Sequence, residues 1–371
     1  MSLAKTTLPI KYDGFYLKRV KEERDNYLSL LKKLKISLSV HDQAEHVFDS
    51  LEKVITKYYA GMLISGYKLF SDVMQVINST VSFEKSTSPV AQGAYLFRTR
   101  VGNVDDIKSF EEKDLFHIPF DLREKVTNQR YSISGLPCLY LGESVYSCWV
   151  EMKSPPVDLL TSALVRVKKD CFVFDLANMA TFYSELNLGK VDHDDPLFIV
   201  LPLLLLCSFE VKEKQKPFKP EYIIPQLLMQ WLIEEYHRLN TGGKPHEKRI
   251  IGIKYFTSAI DVNVSKPYFY TNFAFPVLST LESGICPRLS DFFAIEKSIS
   301  GRMLQYCGEA GGNDGTGLTI VSEQELDESV HNDIQLDKHI KVAYSSTLFG
   351  RFEDVLQGKM ASGNKLFFVT K

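Results

Sequence analysis

Residues able to do chemistry crowd one stretch of the chain. Arg98 and Arg100 come first, followed by Arg130, Tyr131, Tyr140, Ser144 and Glu151. An arginine offers a planar fork of N–H donors that grips phosphate groups through charge-assisted bonds. Each such bond contributes ~1.5–3 kcal/mol where water is excluded. Arg98 and Arg100 share one face of a regular strand, so spacing does not choose between them. A glutamate beside a sugar ring stabilises positive charge that grows on the ring as a glycosidic bond breaks. Ser144 is a residue type that caps helices, and Glu151 follows on the same helix. That helix turns Val145, Cys148 and Trp149 inward and partly desolvates the carboxylate. Tyr131 and Tyr140 offer rings that stack on a flat cation. Plainer readings compete with each: a surface ion pair, an exposed helix glutamate, a core tyrosine. With 18 tyrosines in the chain, one lying nearby decides little. His117, in Phe-His-Ile-Pro-Phe, reads as a core or turn histidine.

Other chemistries lack their motifs. No G-x-x-x-x-G-K-[ST] phosphate loop exists, and no G-x-G-x-x-G. The glycines of Gly308–Gly317 lack the phosphate-loop spacing and read as a surface loop. H-E-x-x-H and G-x-S-x-G are absent too. Arg19, Arg24, His41 and His46 do not show the arginine-to-histidine spacing of a helical ribonuclease. The six cysteines form no C-x-x-C pair and no zinc-like spacing with histidine, so no metal site is expected.

The elements that must position these residues fall into three stretches. Residues 15–78 read as helices, over Lys18–Lys35, His41–Tyr59 and Phe70–Ile77, with Asp42 or His41 starting the second. The polar run 79–89 reads as a connector. After it, Ala94–Val101, Cys138–Leu141 and Ile250–Phe256 read as strands. Leu160–Val167 and Cys171–Phe174 read as a hairpin around Lys168–Asp170. Glu221–Leu239 is an amphipathic helix carrying Trp231, and Leu197–Cys207 is a buried helix or strand. Without regular β-α-β alternation, the class is α+β. The expected organisation is a helical region over 1–88, a catalytic domain over 89–285 and a C-terminal extension over 286–371, packed on the catalytic domain.

The totals set limits. With 44 Lys+Arg against 46 Asp+Glu, the net charge of −2 creates no global field for nucleic acid or an anionic membrane. The longest apolar run, Leu197–Cys207, is shorter than the ~20 residues that span a bilayer. No signal region opens the chain. A soluble cytoplasmic protein is expected.

Arg98, Arg130, the Gly135-Leu-Pro turn, the Leu139-Tyr-Leu strand and Glu151 stand in an order that resembles the RES-domain family. Downstream, Gly252-Ile-Lys-Tyr-Phe-Thr-Ser resembles another family element, whose serine aligns as Ser258 or as Thr257. Asn272 and Pro276 sit where the family often has them. The resemblance covers roughly residues 94–280 and is densest over 128–151. It implies an ADP-ribosyltransferase-like mixed β core and cleavage of the nicotinamide–ribose bond of NAD+ by water or phosphate. NAD+ is then the substrate, with no cofactor. The resemblance implies catalytic roles for Glu151 and Arg130, and binding roles for Arg98, Arg100, Tyr131, Tyr140 and Ser258. It also implies a toxin paired with a small helix-turn-helix (Xre-type) antitoxin. Two rivals differ in class: mono-ADP-ribosylation of a protein, and a non-enzymatic nucleotide sensor or partner-binding protein.

Overall fold

The computed structural model describes residues 7–102, 110, 112–186, 192–240, 249–257, 270–301, 333–337, 340–344 and 347–358. Ser258, Cys307 and the Gly308–Gly317 segment lie outside the described residues.

Three amphipathic helices open the fold: α1 (Tyr16–Leu34), α2 (Leu38–Tyr59) and α3 (Leu63–Thr80). Lys35 ends α1 in the left-handed region at φ 54°, leaving only Ile36 and Ser37 as a link. The second helix therefore starts at Leu38 behind Ser37, not at His41 or Asp42. Gly61, at φ +74°, lets the chain reverse after α2, so α3 starts well before the expected Phe70. The polar run is not all connector. It holds a short helix, α4 (Phe83–Ser86), and an edge strand, β1 (Thr87–Val90). Pro89 is tolerated because an edge strand has one side without a ladder partner.

The remaining strands are β2 (Tyr95–Val101), β3 (Cys138–Gly142), β4 (Leu160–Val167), β5 (Cys171–Asp175), β6 (Ile250–Phe256), β7 (Thr271–Pro276) and β8 (Phe293–Ser300). They form an eight-stranded sheet in the order β1-β5-β6-β7-β3-β2-β4-β8. Every pairing is antiparallel except β5 with β6. Strands β4 and β5 do not form the expected hairpin. Strand β4 lies between β2 and β8, and β5 between β1 and β6. Seven of the eight β4 residues are buried, so β4 is covered on both faces, the pattern of an interior strand of a large sheet. The backbone N–H and the ammonium of Lys168 then bond to Phe292 and Ser290, on the β8 side. The mixed sheet with separate helices makes the fold α+β.

The other helices are α5 (Glu112–Leu115), α6 (Val145–Glu151), α7 (Leu176–Leu186), α8 (Leu197–Cys207), α9 (Ile223–Asn240), α10 (Pro287–Phe292) and α11 (Leu348–Gln357). A two-stranded ribbon, β9 (Asp333–Asp337) with β10 (Ile340–Ala343), stands apart from the main sheet.

The apolar run Leu197–Cys207 is helix α8, and all of its residues are buried. It packs against α1, α2, α7 and α9. Pro202 within it lacks an N–H, so the carbonyl four residues earlier, on Phe198, loses its helical partner. The Tyr27 hydroxyl, from α1, donates to that carbonyl. Helix α1 thus completes the hydrogen bonding of a helix residue 171 positions away, and Val47, Phe48 and Leu51 share one apolar core with Phe198, Ile199, Ile253 and Ala274.

Candidate active site

Strands β2 and β3 pair at a single position, Phe97 opposite Gly142. Beyond it their ladder stops, and the Arg98 guanidinium donates through Nη1 to the Tyr140 carbonyl at 3.0 Å. A cavity of about 570 Å³ opens here. It is lined by Arg98, Arg100, Arg130, Tyr140, Glu151 and Tyr255, among others. Its volume lies within the ~300–1,000 Å³ typical of small-molecule sites.

Arg98 and Arg100 both line the cavity from β2, as does Thr99 between them, whose hydroxyl lies 2.9 Å from that of Ser162. Burial lowers the pKa of Arg98. Burial, then the neighbouring Arg98, pushes Arg100 down to about 10. A guanidinium keeps its charge in a protein. The Nε atoms of both are buried and make no hydrogen bond within the protein. Two desolvated cations with free donors form a site of the kind that an anionic ligand stabilises.

Arg130 is held differently. Its Nη1 and Nη2 donate to the carbonyls of Cys207 and Phe209, each at 2.9 Å. These carbonyls mark the C-terminal end of α8, where a cation is favoured by the helix dipole. Tyr222 lies beneath the guanidinium, with 5.5 Å from its ring centroid to Cζ. Gln226 of α9 fixes the turn that carries Arg130 by donating to the carbonyls of Gln129 at 3.0 Å and Ser132 at 3.2 Å. Much of the Arg130 fork is therefore spent on the protein, and its charge acts on the cavity from a fixed place.

Glu151 ends α6. Ser144 caps that helix as expected, accepting from the Ser147 N–H at 2.9 Å, while the Ser147 hydroxyl faces back to the Ser144 N–H. The helix lies tight against β3: a Cβ on Gly142 would stand 2.5 Å from Cys148 Sγ. The Glu151 carboxylate opens onto the cavity. The Glu151 side chain is exposed to the cavity, yet the protein around it raises its pKa above the ordinary 4.5, and the Thr257 hydroxyl and Arg130 partly offset this. Thr257 Oγ1 donates to Glu151 Oε2 at 2.5 Å. Trp149 turns to the Pro155 carbonyl and packs on Phe349, at 4.9 Å between ring centroids.

The expected residues separate accordingly. The cavity gathers Arg98, Arg100, Arg130, Tyr140 and Glu151 from four different segments. Tyr140 donates its hydroxyl to Ser132 at 3.2 Å. Tyr131 departs from its expected place. It is 1% exposed, packs against Tyr255 at 4.7 Å and lines a small neighbouring cavity with Thr257. Alternation explains this, because Arg130 takes the cavity side of the turn and its neighbour takes the core. Of the two positions open for the family serine, Thr257 meets Glu151, and Ser258 lies outside the described residues. His117 is fully buried, with Nδ1 at 2.7 Å from the Ile118 carbonyl and Nε2 accepting from the Cys286 N–H.

Sequence reasoning missed Tyr222, Tyr255, Lys153, Lys214 and Lys219, all on the cavity wall. The lysine-rich run Lys212–Lys219 carried a signal for two of them. With three arginines and three lysines against Glu151 and Glu210, the lining is net positive. Among the described residues, no cluster of three or more His, Cys, Asp or Glu residues could hold a metal ion. No helix among them is long and apolar enough to cross a membrane.

Comparison with known proteins finds one curated relative. A Bacillus subtilis (strain 168) protein named "Putative toxin YopC" is 28% identical over 275 residues. The match covers 70% of this chain and 59% of the relative, so the chain spans less than two thirds of that protein. No family profile and no solved structure matches.

Proposed function

We propose that this chain is an NAD+-consuming toxin of the RES type, which breaks the nicotinamide–ribose bond and passes the ADP-ribosyl group to water or phosphate. The observation that carries the reading is the convergence of Arg98, Arg100, Arg130, Tyr140 and Glu151 on one cavity. Arg98 and Arg100 supply donors for the diphosphate. Glu151 faces the ribose and stabilises the oxocarbenium-like charge that develops at C1 as nicotinamide leaves. Thr257 orients that carboxylate, and the Arg130 charge favours its ionised form. Tyr140 or Tyr255 offers a ring to the nicotinamide. The relative's name supports the toxic role. A small helix-turn-helix (Xre-type) antitoxin is the partner this reading calls for, and the cytoplasm is where the substrate would be met.

Expression in a bacterium tests the proposal. The wild-type chain is expected to arrest growth while the cellular NAD+ pool falls, and Glu151→Gln is expected to do neither. Growth arrest at an undiminished NAD+ pool would refute the NAD+ reading and leave the toxic role standing.

A further inference from the structure

The C-terminal helix α11 bears directly on the helix that carries Glu151. Helix α6 has only seven residues, far below the ~12–15 at which an isolated helix becomes stable. Its capping box occupies the N–H groups of Ser144 and Ser147. The N–H of Val145 is taken by Glu353 of α11, whose Oε1 accepts at 2.7 Å. The same carboxylate oxygen accepts from the Tyr344 hydroxyl at 2.5 Å. A carboxylate at this end of a helix is also favoured by the helix dipole. One turn along α11, Phe349 packs on Tyr146 at 5.2 Å and on Trp149 at 4.9 Å. Phe352 and Leu356 share a buried cluster with Val145, Phe97 and Leu164. At the far end of α6, Thr257 holds Glu151.

We propose that Glu353 is a positioning residue for the site: it clamps the N-terminus of α6 from α11, and so fixes where the Glu151 carboxylate stands. The role rests on the reading of Glu151 given above. Helix α6 is then tied at both ends, by Glu353 on β-strand-proximal Val145 and by Thr257 on Glu151 itself. Loss of the first tie lets the helix shift, and a misplacement of about 1 Å at a reacting centre costs on the order of 100-fold in rate. The C-terminal part of the chain therefore belongs to the working site.

Two readouts on the full chain test this. In hydrogen exchange, Glu353→Ala is expected to speed exchange in the peptide covering residues 144–152, with α2 and α8 still protected. In NAD+ turnover, the same change is expected to lower kcat tenfold or more with KM shifted less than twofold. Glu353→Gln, which keeps an acceptor oxygen, is expected to restore most of both. Unchanged exchange over 144–152 would overturn the clamp, and so would equal loss of protection in α2 and α8. If the wild type leaves NAD+ intact, the proposed function falls, while the exchange experiment still decides the clamp.

Discussion

The Glu151 carboxyl faces the cavity, yet the protein around it disfavours its charge. Its pKa in the folded protein lies above 4.5. A carboxyl raised in this way loses folding stability as pH climbs from its unfolded value through its folded one. Glu151→Gln is therefore expected to keep or raise Tm at pH 7 in thermal melts, while NAD+ turnover falls at least ~100-fold. The acid limb of kcat/KM against pH should lie above 4.5. Thr257→Val removes a bond that lowers the Glu151 pKa, so it should move that limb to higher pH. A limb unmoved by Thr257→Val would separate Glu151 from the rate. His117 gives the opposite sign. Burial lowers its pKa below 6.5, and protonation would break the bond from Cys286. Its stability contribution is present above pH ~6.5 and is lost as pH falls through the folded value. Melts across pH 4–7, compared with a His117→Gln variant, should show this acid loss shrink. The resemblance to the RES-domain family singles out Glu151, whereas Ser144 and the helix period only place it on a helix. Its partner Thr257 lies 106 residues away, and no local pattern links the two.

At the scale of elements, α8 organises the site. Its proline frees a carbonyl that Tyr27 satisfies, and its C-terminal carbonyls seat Arg130. Tyr27→Phe leaves the Phe198 carbonyl buried without a partner, at a cost of ~1–3 kcal/mol. Urea denaturation should show this loss as a lower midpoint. A midpoint unchanged by Tyr27→Phe would mean that the carbonyl finds another donor. The existence of α8 was open to sequence reading, but its type was not, since a short apolar run fits a buried strand equally well. Strand pairing was less legible still. Strands β4 and β5 look like a hairpin because a short polar link joins them, yet each is buried deeply enough to take other neighbours.

At the scale of the molecule, the site is built from distant stretches of chain. Strand β2 brings Arg98 and Arg100, the turn before β3 brings Arg130, and α6 brings Glu151. Helices α1–α3 share the core that supports α8, and α11 supports α6. The α+β class and most elements could be read from periodicity, because burial imposes period 2 or 3.6 on local sequence. The cavity could not, because it arises where β2 and β3 stop pairing. Of the lysines on its wall, Lys214 and Lys219 show only as part of a lysine-rich run, whose spacing also matches an ordinary solvated loop, and Lys153 has no signal. The most direct test is nicotinamide release from NAD+ by the purified chain, compared with Glu151→Gln and an Arg98→Ala, Arg100→Ala double variant. The account predicts release by the wild type, loss of kcat in the glutamate variant and a raised KM in the arginine variant. A folded wild type that leaves NAD+ intact, with and without phosphate, would contradict it.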